Sequence, residues 1–123
     1  MSGDELTREV IGAAIDVHRA LGPGLLESAY QQCLARELEV RDMDFAAEVD
    51  LPVEYKGAQL DCGYRLDLVV EGRLILELKS VTKMLPIHEA QILSYMKLAE
   101  IPKGLLINFN KRLLKDGIRR FKN

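Results

Sequence analysis

The strongest pattern of hydrophobic and polar positions lies between Tyr64 and Ser80. Two runs rich in Leu, Ile and Val alternate with single polar residues and are interrupted once, at Glu71-Gly72, which predicts a β-hairpin. Because side chains alternate along a strand, one face should be apolar core, formed by Leu66, Leu68, Val70, Leu74, Leu76 and Leu78. The opposite face then carries two carboxylates and an ammonium, on Asp67, Glu77 and Lys79, among hydrophobic neighbours.

The connection between the two strands decides whether these carboxylates meet. With a strict two-residue turn at Glu71-Gly72, Asp67 would pair with Leu76, and Glu77 would lie on the other side. A three-residue connection that includes Arg73, or a bulge at the glycine, places Asp67 opposite Glu77. We predict this second register, because it also joins the two apolar rows into one buried face.

Three segments have apolar positions spaced at threes and fours and are predicted to be helices. They run from a cap at Asp4 or Ser2 to about Leu21, from Leu25 to about Arg41, and from Pro86 to about Ala99. The inward stripe of the third helix is predicted to be Ile87, Ala90, Ile92, Leu93, Met96 and Leu98. A second, polar stripe on the same helix contains His88, Gln91 and Tyr95.

Strands are predicted over residues 45–55, over residues 59–70 and up to about Ser80, as an antiparallel meander. Pro52 favours an edge position or a bulge in the first of them. The apolar run Leu105-Leu106-Ile107 is typical of a strand buried on both faces, reached by a parallel crossover through the third helix. Gly117 to Lys122 would add an edge strand. The predicted class is α/β (α+β), a mixed four- to five-stranded sheet flanked by helices, with residues 1–123 as one domain.

Composition places the chain among ordinary globular proteins, with 48% hydrophobic residues, 29% charged residues and a net charge of −2. No stretch has the length of a membrane span, and the N-terminus does not resemble a secretion signal, so we expect a cytoplasmic protein without membrane contact. Cys33 and Cys62 lack the spacing of a metal or redox motif and are expected to be buried, reduced thiols.

The charges are distributed unevenly along the chain. Residues 1–102 have a balance of −8, whereas residues 103–123 have a balance of +6. The basic end of the chain is compatible with a polyanionic partner, and equally with a solvated strand and loop. Its candidate substrate-binding residues are Lys111, Arg112, Arg119 and Arg120.

The pair Asp67 and Glu77 offers hard oxygen ligands of the kind that suit Mg²⁺ or Mn²⁺, and the backbone carbonyl of Leu78 could add a third. Lys79 would then orient a water or stabilise negative charge on a phosphate. The alternative is a cross-strand ion network on a wet face, worth about 1 kcal/mol or less. Glu27 is also open to two interpretations, a first-turn residue favoured by the helix dipole or a carboxylate aimed into a pocket. His18 is interpreted as a packed, hydrogen-bonded histidine outside the site.

Several short motifs together resemble one known family. Gly24-Leu-Leu-Glu27-Ser-Ala-Tyr30 resembles the Gly-x-x-Glu-x-x-Tyr signature of the GxxExxY proteins, within the PD-(D/E)XK nuclease-like superfamily. Asp67, the Glu77-Leu78-Lys79 triplet and Gln91-x-x-x-Tyr95 resemble the remaining motifs of that superfamily, in the same order. One departure is Leu66, which stands where the proline of the superfamily's name would precede the aspartate.

The resemblance implies a restriction-endonuclease-like core of order αβββαβ. It also implies that Asp67 and Glu77, with the Leu78 carbonyl, bind the metal, and that Lys79 is the catalytic lysine. Glu27 would support the metal or its water, and Gln91 would position the substrate phosphate or the lysine. Tyr30 and Tyr95 would lie by the substrate.

The function expected from these residues is metal-dependent hydrolysis of DNA by a water nucleophile, with Mg²⁺ or Mn²⁺ as cofactor. The alternative is a catalytically silent module on the same fold that binds nucleic acid or protein. RNA is less favoured as a substrate, because no sheet face is rich in aromatic residues for stacking single strands. The oligomeric state stays open, with a homodimer among the alternatives.

Overall fold

A computed structural model describes all residues of the chain, 1–123. It contains three helices, seven strands and one short 3₁₀ helix. The elements in chain order are α1 (Gly3–Leu21), α2 (Glu27–Val40), β1 (Phe45–Asp50), β2 (Val53–Tyr55), β3 (Ala58–Leu60), β4 (Arg65–Val70), β5 (Leu74–Lys79), α3 (Pro86–Ala99), β6 (Lys103–Asn108), the 3₁₀ helix (Leu114–Gly117) and β7 (Ile118–Lys122). None of the helices combines the length and the apolar character needed to cross a membrane.

Five strands form one mixed sheet in the order β1-β4-β5-β6-β7, which confirms the predicted fold class. All neighbouring pairs are antiparallel except β5 and β6, which are parallel and joined through α3, as the crossover pattern predicted. The predicted strands 45–55 and 59–70 are both interrupted, so that β2 and β3 form a separate two-stranded ribbon. The first break contains Pro52, which has no amide hydrogen to donate, and β1 lies at the sheet edge.

The hairpin of β4 and β5 has the predicted three-residue connection. Val70 pairs with Leu74, and the amide of Arg73 closes the turn by donating to the Val70 carbonyl at 3.0 Å. Glu71 and Gly72 both have positive φ, 55° and 64°, a conformation that glycine adopts without strain. The pairing continues through Leu68 and Leu76. Asp67 and Glu77 follow as the next positions in this register.

The sheet separates two cores. The larger one lies between the sheet and helices α1 and α2, and the smaller one lies between the sheet and α3. Leu68 and Leu76 belong to the larger core as predicted, but Leu66 belongs to the smaller one, so the predicted single apolar row is wrong at that position. Leu66 thus lies on the opposite side of the sheet from Leu68. Between these two residues the β1–β4 pairing has a gap at Glu48, which has a positive φ of 50°.

Helix α1 begins at a serine cap. The Ser2 hydroxyl accepts a hydrogen bond from the amide of Glu5 at 3.2 Å, so of the two predicted caps the structure uses Ser2 rather than Asp4. Helix α2 begins at Glu27, two residues later than predicted, because Leu26 has extended backbone angles. His18 of α1 is buried, and its Nε2 lies 2.7 Å from the Lys111 carbonyl oxygen, which confirms the interpretation as a packed histidine.

Only part of the predicted inward stripe of α3 is buried. Ile92 and Met96 are fully enclosed, whereas Ile87 is 58% exposed. Leu93 and Leu98 are also exposed, because α3 alone covers this face of the sheet and nothing packs on its outer side. The helix lies close to β6, where a Cβ added at Gly104 would come within 2.9 Å of the Met96 sulfur.

The two cysteines are free thiols, as expected, but they are not both buried. Cys33 is half-buried on α2 and Cys62 is exposed between β3 and β4. The expectation fails at Cys62 because the strand predicted around it is interrupted there, and the loop leaves the sheet.

Candidate active site

The carboxylates of Asp67 and Glu77 meet where β4 separates from β5. The Asp67 Oδ2 accepts a hydrogen bond from the Leu78 amide at 2.8 Å, and the Glu77 Oε1 lies 3.4 Å from the Asp67 amide nitrogen. Beyond Leu68 and Leu76 the two strands no longer pair through their backbones. Each carboxylate instead accepts a hydrogen bond from a backbone amide of the neighbouring strand. These contacts hold the two side chains in fixed positions beside each other.

Burial and mutual repulsion make this pair electrostatically unusual. Glu77 is only 6% exposed. Desolvation, followed by repulsion from Asp67, raises the pKa of Glu77 to about 8. Desolvation also raises the pKa of Asp67, against the opposing effects of the Leu78 amide and the Lys79 ammonium. Two acids forced together in this way gain from any added positive charge.

Lys79 is the next residue on the same face of β5, two positions after Glu77, and is half-buried. Its ammonium lowers the pKa of both carboxyls, which shows that it lies close enough to act on them. No ion pair within 4 Å ties it to either acid. The amine therefore remains available to another group at this site.

Glu27 is brought to the same site by the loop that joins α1 to α2. It is the first residue of α2 and is exposed, and its negative charge contributes to the raised pKa values of Asp67 and Glu77. The loop is held against β5 by the Ser80 hydroxyl, which donates to the Leu25 carbonyl at 2.6 Å. Glu27 can thus be both a first-turn residue of α2 and a carboxylate near the site.

Tyr30 holds this loop from inside the larger core. Its hydroxyl donates to the Gly22 carbonyl at 2.6 Å and accepts from the Leu25 amide at 3.1 Å, while its ring stacks on Phe109 with centroids 4.4 Å apart. Because Tyr30 is fully buried, direct contact with substrate does not agree with its position. Its place is structural, since it fixes the loop that carries Glu27.

Tyr95 of α3 lies near the site, since Glu77 and Asp67 both act on its phenol. Gln91 is one helical turn earlier on α3, and both residues are half-buried. Desolvation and the nearby Glu77 raise the pKa of Tyr95, so its phenol stays protonated and can donate a hydrogen bond. Tyr64, just before β4, lies with its ring 5.8 Å from that of Tyr95. His88 is used elsewhere, because its Nδ1 accepts from the Leu85 amide at the start of α3.

Two residues that lie near the site, Asn108 and Glu48, were not identified from the sequence. Asn108 is fully buried at the end of β6, and its side chain bonds to both backbone groups of Val81 and to the amide of Asn110. It thereby fixes the chain that leaves β5 just after Lys79. Glu48 of β1 adds negative charge beside Asp67. A polar residue at the end of an apolar strand was a usable signal for Asn108, whereas nothing local distinguished Glu48 from Asp50, the other acid of β1.

The four basic residues predicted to bind substrate do not form one surface. Arg119 is bound to Glu89 of α3 at 2.6 Å, while Arg120, the next residue of β7, lines a cavity near α1 on the other face of the sheet. Lys111 is half-buried, and its carbonyl is the partner of His18. Arg112 is exposed in the loop after β6. Alternation along β7 places Arg119 and Arg120 on opposite faces of the sheet, and the substrate-binding role of all four residues stays a prediction.

The donor set at the carboxylate pair fits a hard divalent cation. No group of three or more His, Cys, Asp and Glu side chains is arranged to hold a metal ion by itself. Mg²⁺, however, is commonly held by one or two carboxylates together with waters and substrate phosphate rather than by an all-protein cage. Asp67 and Glu77 supply two such oxygens, already desolvated and destabilised by each other. That the Leu78 carbonyl is a further ligand stays a prediction.

The chain matches the family model described as the PD-(D/E)XK nuclease superfamily over residues 4–121. The match spans nearly the whole sequence and agrees with the five-stranded mixed sheet flanked by helices, which is consistent with a restriction-endonuclease-like fold. The chain therefore belongs to the PD-(D/E)XK nuclease superfamily. No curated protein and no solved structure gives a significant match.

Proposed function

We propose that this protein is a divalent-metal-dependent nuclease that hydrolyses phosphodiester bonds of DNA, with water as the nucleophile. The observation that carries the proposal is the pair formed by the buried Glu77 and the half-buried Asp67, with the Lys79 ammonium beside it. Membership in a nuclease superfamily supports a nucleic-acid substrate. We further propose that residues 1–123 act as one domain and belong to the GxxExxY proteins.

Asp67 and Glu77, with the Leu78 carbonyl, are the residues that would hold Mg²⁺ or Mn²⁺. A bound ion of this kind lowers the pKa of a water and offsets negative charge on the phosphate. The raised pKa values of the two carboxyls match this role, because a cation relieves the repulsion that burial amplifies. Glu27, at the start of α2, would accept a hydrogen bond from water at the same place.

Lys79 and the α3 side chains would act on the substrate. The Lys79 ammonium can hold the attacking water or stabilise charge that builds on the phosphate oxygens. Tyr95, kept neutral by its surroundings, can donate its hydroxyl proton to a phosphate oxygen, and Gln91 can orient the same group through its amide. The structural part of the motif, Gly24 and Tyr30, keeps Glu27 in place, with Gly24 at a φ of 97°.

The test is cleavage of supercoiled plasmid and of linear duplex DNA with Mg²⁺, with Mn²⁺ or with EDTA. We expect cleavage by the wild type only with metal, and its loss in Asp67→Asn and in Glu77→Gln. Both substitutions replace a carboxyl group by an amide of nearly the same volume, so the variants should fold. The matched controls are Asp42→Asn and Glu39→Gln, exposed acids at the far end of α2, which should cleave like the wild type.

Two outcomes would contradict the proposal. If the wild type cleaves neither substrate with either metal, or if cleavage survives unchanged in both site variants, the carboxylate pair is not a nuclease centre. Metal-independent DNA binding without cleavage would instead favour the catalytically silent module on the same fold.

A further inference from the structure

A basic cavity lies between the end of α1, the loop that joins α1 to α2 and the loop that follows β6. It has a volume of about 390 Å³, and its lining contains three cationic side chains, Arg19, Arg112 and Lys115, and no carboxylate. Gly22 and Pro23 of the loop form one wall. In a chain of net charge −2, a cavity whose charged lining residues are all cations favours an anion.

The three cations are free to bind a ligand. Arg112 and Lys115 are exposed and take part in no ion pair. The side chain of Arg19 is 78% exposed, and its one carboxylate neighbour, Asp16, lies 4.0 Å away. That carboxylate is already held by Arg41 at 2.5 Å, so it neutralises Arg19 only weakly.

The cavity is a built feature rather than a chance group of mobile side chains. His18, only 7% exposed, bonds through Nε2 to the Lys111 carbonyl and so joins α1 to the loop that carries Arg112. A Cβ added at Gly117 would come within 2.2 Å of the Asn108 carbonyl oxygen, so this loop returns tightly on the end of β6. These contacts hold the backbone that carries Arg112 and Lys115 close to the end of α1, where Arg19 lines the same cavity.

The topology puts the cavity at the same edge of the sheet as the carboxylates. Strands β5 and β6 are parallel, with Lys79 opposite Asn108, so residues 111–115 leave the sheet at the edge where β5 ends. The wall residue Pro23 is two positions from Leu25, whose carbonyl is bound by Ser80. A chain of phosphates that lies over the loop could reach both places.

We propose that Arg19, Arg112 and Lys115 bind backbone phosphates of duplex DNA beside the phosphate that is cleaved. This inference rests on the proposed nuclease function and names the surface that holds its substrate. The cavity offers cations but no exposed aromatic ring for base stacking, so binding should depend on the backbone and not on the sequence. Arg119 and Arg120 are not part of this surface.

The experiment measures binding of a short labelled DNA duplex by fluorescence anisotropy in EDTA, which excludes cleavage. The test variant combines Arg19→Ala, Arg112→Ala and Lys115→Ala. The matched control combines Arg73→Ala, Lys97→Ala and Lys122→Ala, which removes the same charge from exposed residues at the opposite edge of the sheet. Melting temperatures verify that both variants are folded, and Arg112→Glu alone serves as a second, milder test.

We expect the test variant to bind DNA about tenfold more weakly or worse, with the slope of log affinity against log salt reduced by about 3, one for each lost phosphate contact. The control should bind within a small factor of the wild type. Cleavage by the test variant should show a raised KM with little change in kcat, because the cations touch substrate away from the reacting atoms.

Equal weakening in the two variants, unchanged binding in the test variant, or no DNA binding by the wild type would overturn the inference. So would a preference for duplex RNA, or stabilisation by inorganic phosphate through these cations without DNA binding. Cleavage decides the nuclease proposal separately. If the wild type binds DNA through the cavity but never cleaves it, the DNA-binding surface is supported and the nuclease proposal is wrong.

Discussion

The amide of Asp67 lies 3.4 Å from the Glu77 Oε1, while the Asp67 carboxylate accepts a hydrogen bond from the residue after Glu77. The two acids thus take over backbone hydrogen bonds at the point where their strands part. This arrangement satisfies the amides, but it places two carboxyl groups side by side at a position shielded from water, where ionisation of both is unfavourable. The two hydrogen bonds that satisfy the backbone amides therefore also create a site that favours a bound cation.

The first prediction concerns the pH dependence of stability without metal. In the folded state the pKa of Glu77 is raised to about 8 from its ordinary value of 4.5, so between these values the folded chain holds a proton that the unfolded chain releases. The free energy of unfolding should therefore fall as pH rises through this window, by at most about 1.4 kcal/mol per pH unit. Urea unfolding in EDTA at several pH values measures this slope.

Glu77→Gln should remove this pH dependence of the free energy of unfolding, because the amide does not titrate. Near pH 8 the variant should be more stable than the wild type. Glu39→Gln, an exposed change of the same chemistry, should keep the wild-type slope. A wild-type slope retained by Glu77→Gln would mean that Glu77 is ionised in the folded protein.

The second prediction concerns Lys79. Its ammonium lowers the pKa of Glu77 and of Asp67, so Lys79→Met should raise both. Carboxyl titration by NMR in the absence of metal measures the shift directly, independently of any activity. Lys83→Met, which removes an exposed lysine, is the control and should leave both titrations unchanged. If the pKa values of Asp67 and Glu77 do not change in Lys79→Met, the lysine ammonium does not act on these carboxyls.

The third prediction concerns Tyr30, whose hydroxyl joins Gly22 to Leu25. Tyr30→Phe keeps the ring stacked on Phe109 but removes the hydroxyl partner of the half-buried Gly22 carbonyl and of the Leu25 amide, so it should lower stability by about 1 kcal/mol. Chemical denaturation measures the loss. Tyr55→Phe, at a position that is 61% exposed, should have almost no effect. Equal stability of the two variants would show that the loop does not depend on this hydroxyl.

The fourth prediction concerns Asn108, which makes three side-chain hydrogen bonds to the backbone although it is fully buried. Asn108→Ala should lower stability by about 1–3 kcal/mol, because half-buried backbone groups of Val81 and Asn110 lose their partners. The chain after Lys79 should also loosen, which faster amide exchange at Val81 would report. Asn110→Ala is the nearby control, since the contact there is made by the backbone amide, and both effects should be absent from it.

Much of the fold could be predicted from the sequence because alternation and helical spacing are local. They identified the three helices, the parallel crossover and the buried strand β6. They also gave the register of β4 and β5, since a slip of one residue would move apolar side chains out of the core. The neighbouring positions of Asp67 and Glu77 follow from that register alone.

Other features depend on contacts between distant parts of the chain, and local pattern does not contain them. The sequence left Glu27 open, and packing of the loop through Tyr30 and Ser80 brought it to the carboxylates. The sequence grouped Arg119 with Arg120, and the sheet put them on different faces, with Glu89 already bound to the first.

The sequence by itself thus determined the sheet, the register and the acids that the register brings together, because each follows from which face a side chain takes. Only the tertiary structure decided how buried those acids are, which polar groups satisfy the backbone around them and which cations stay free. These properties depend on the elements that pack over each residue, and a residue's neighbours in the chain do not specify its neighbours in space.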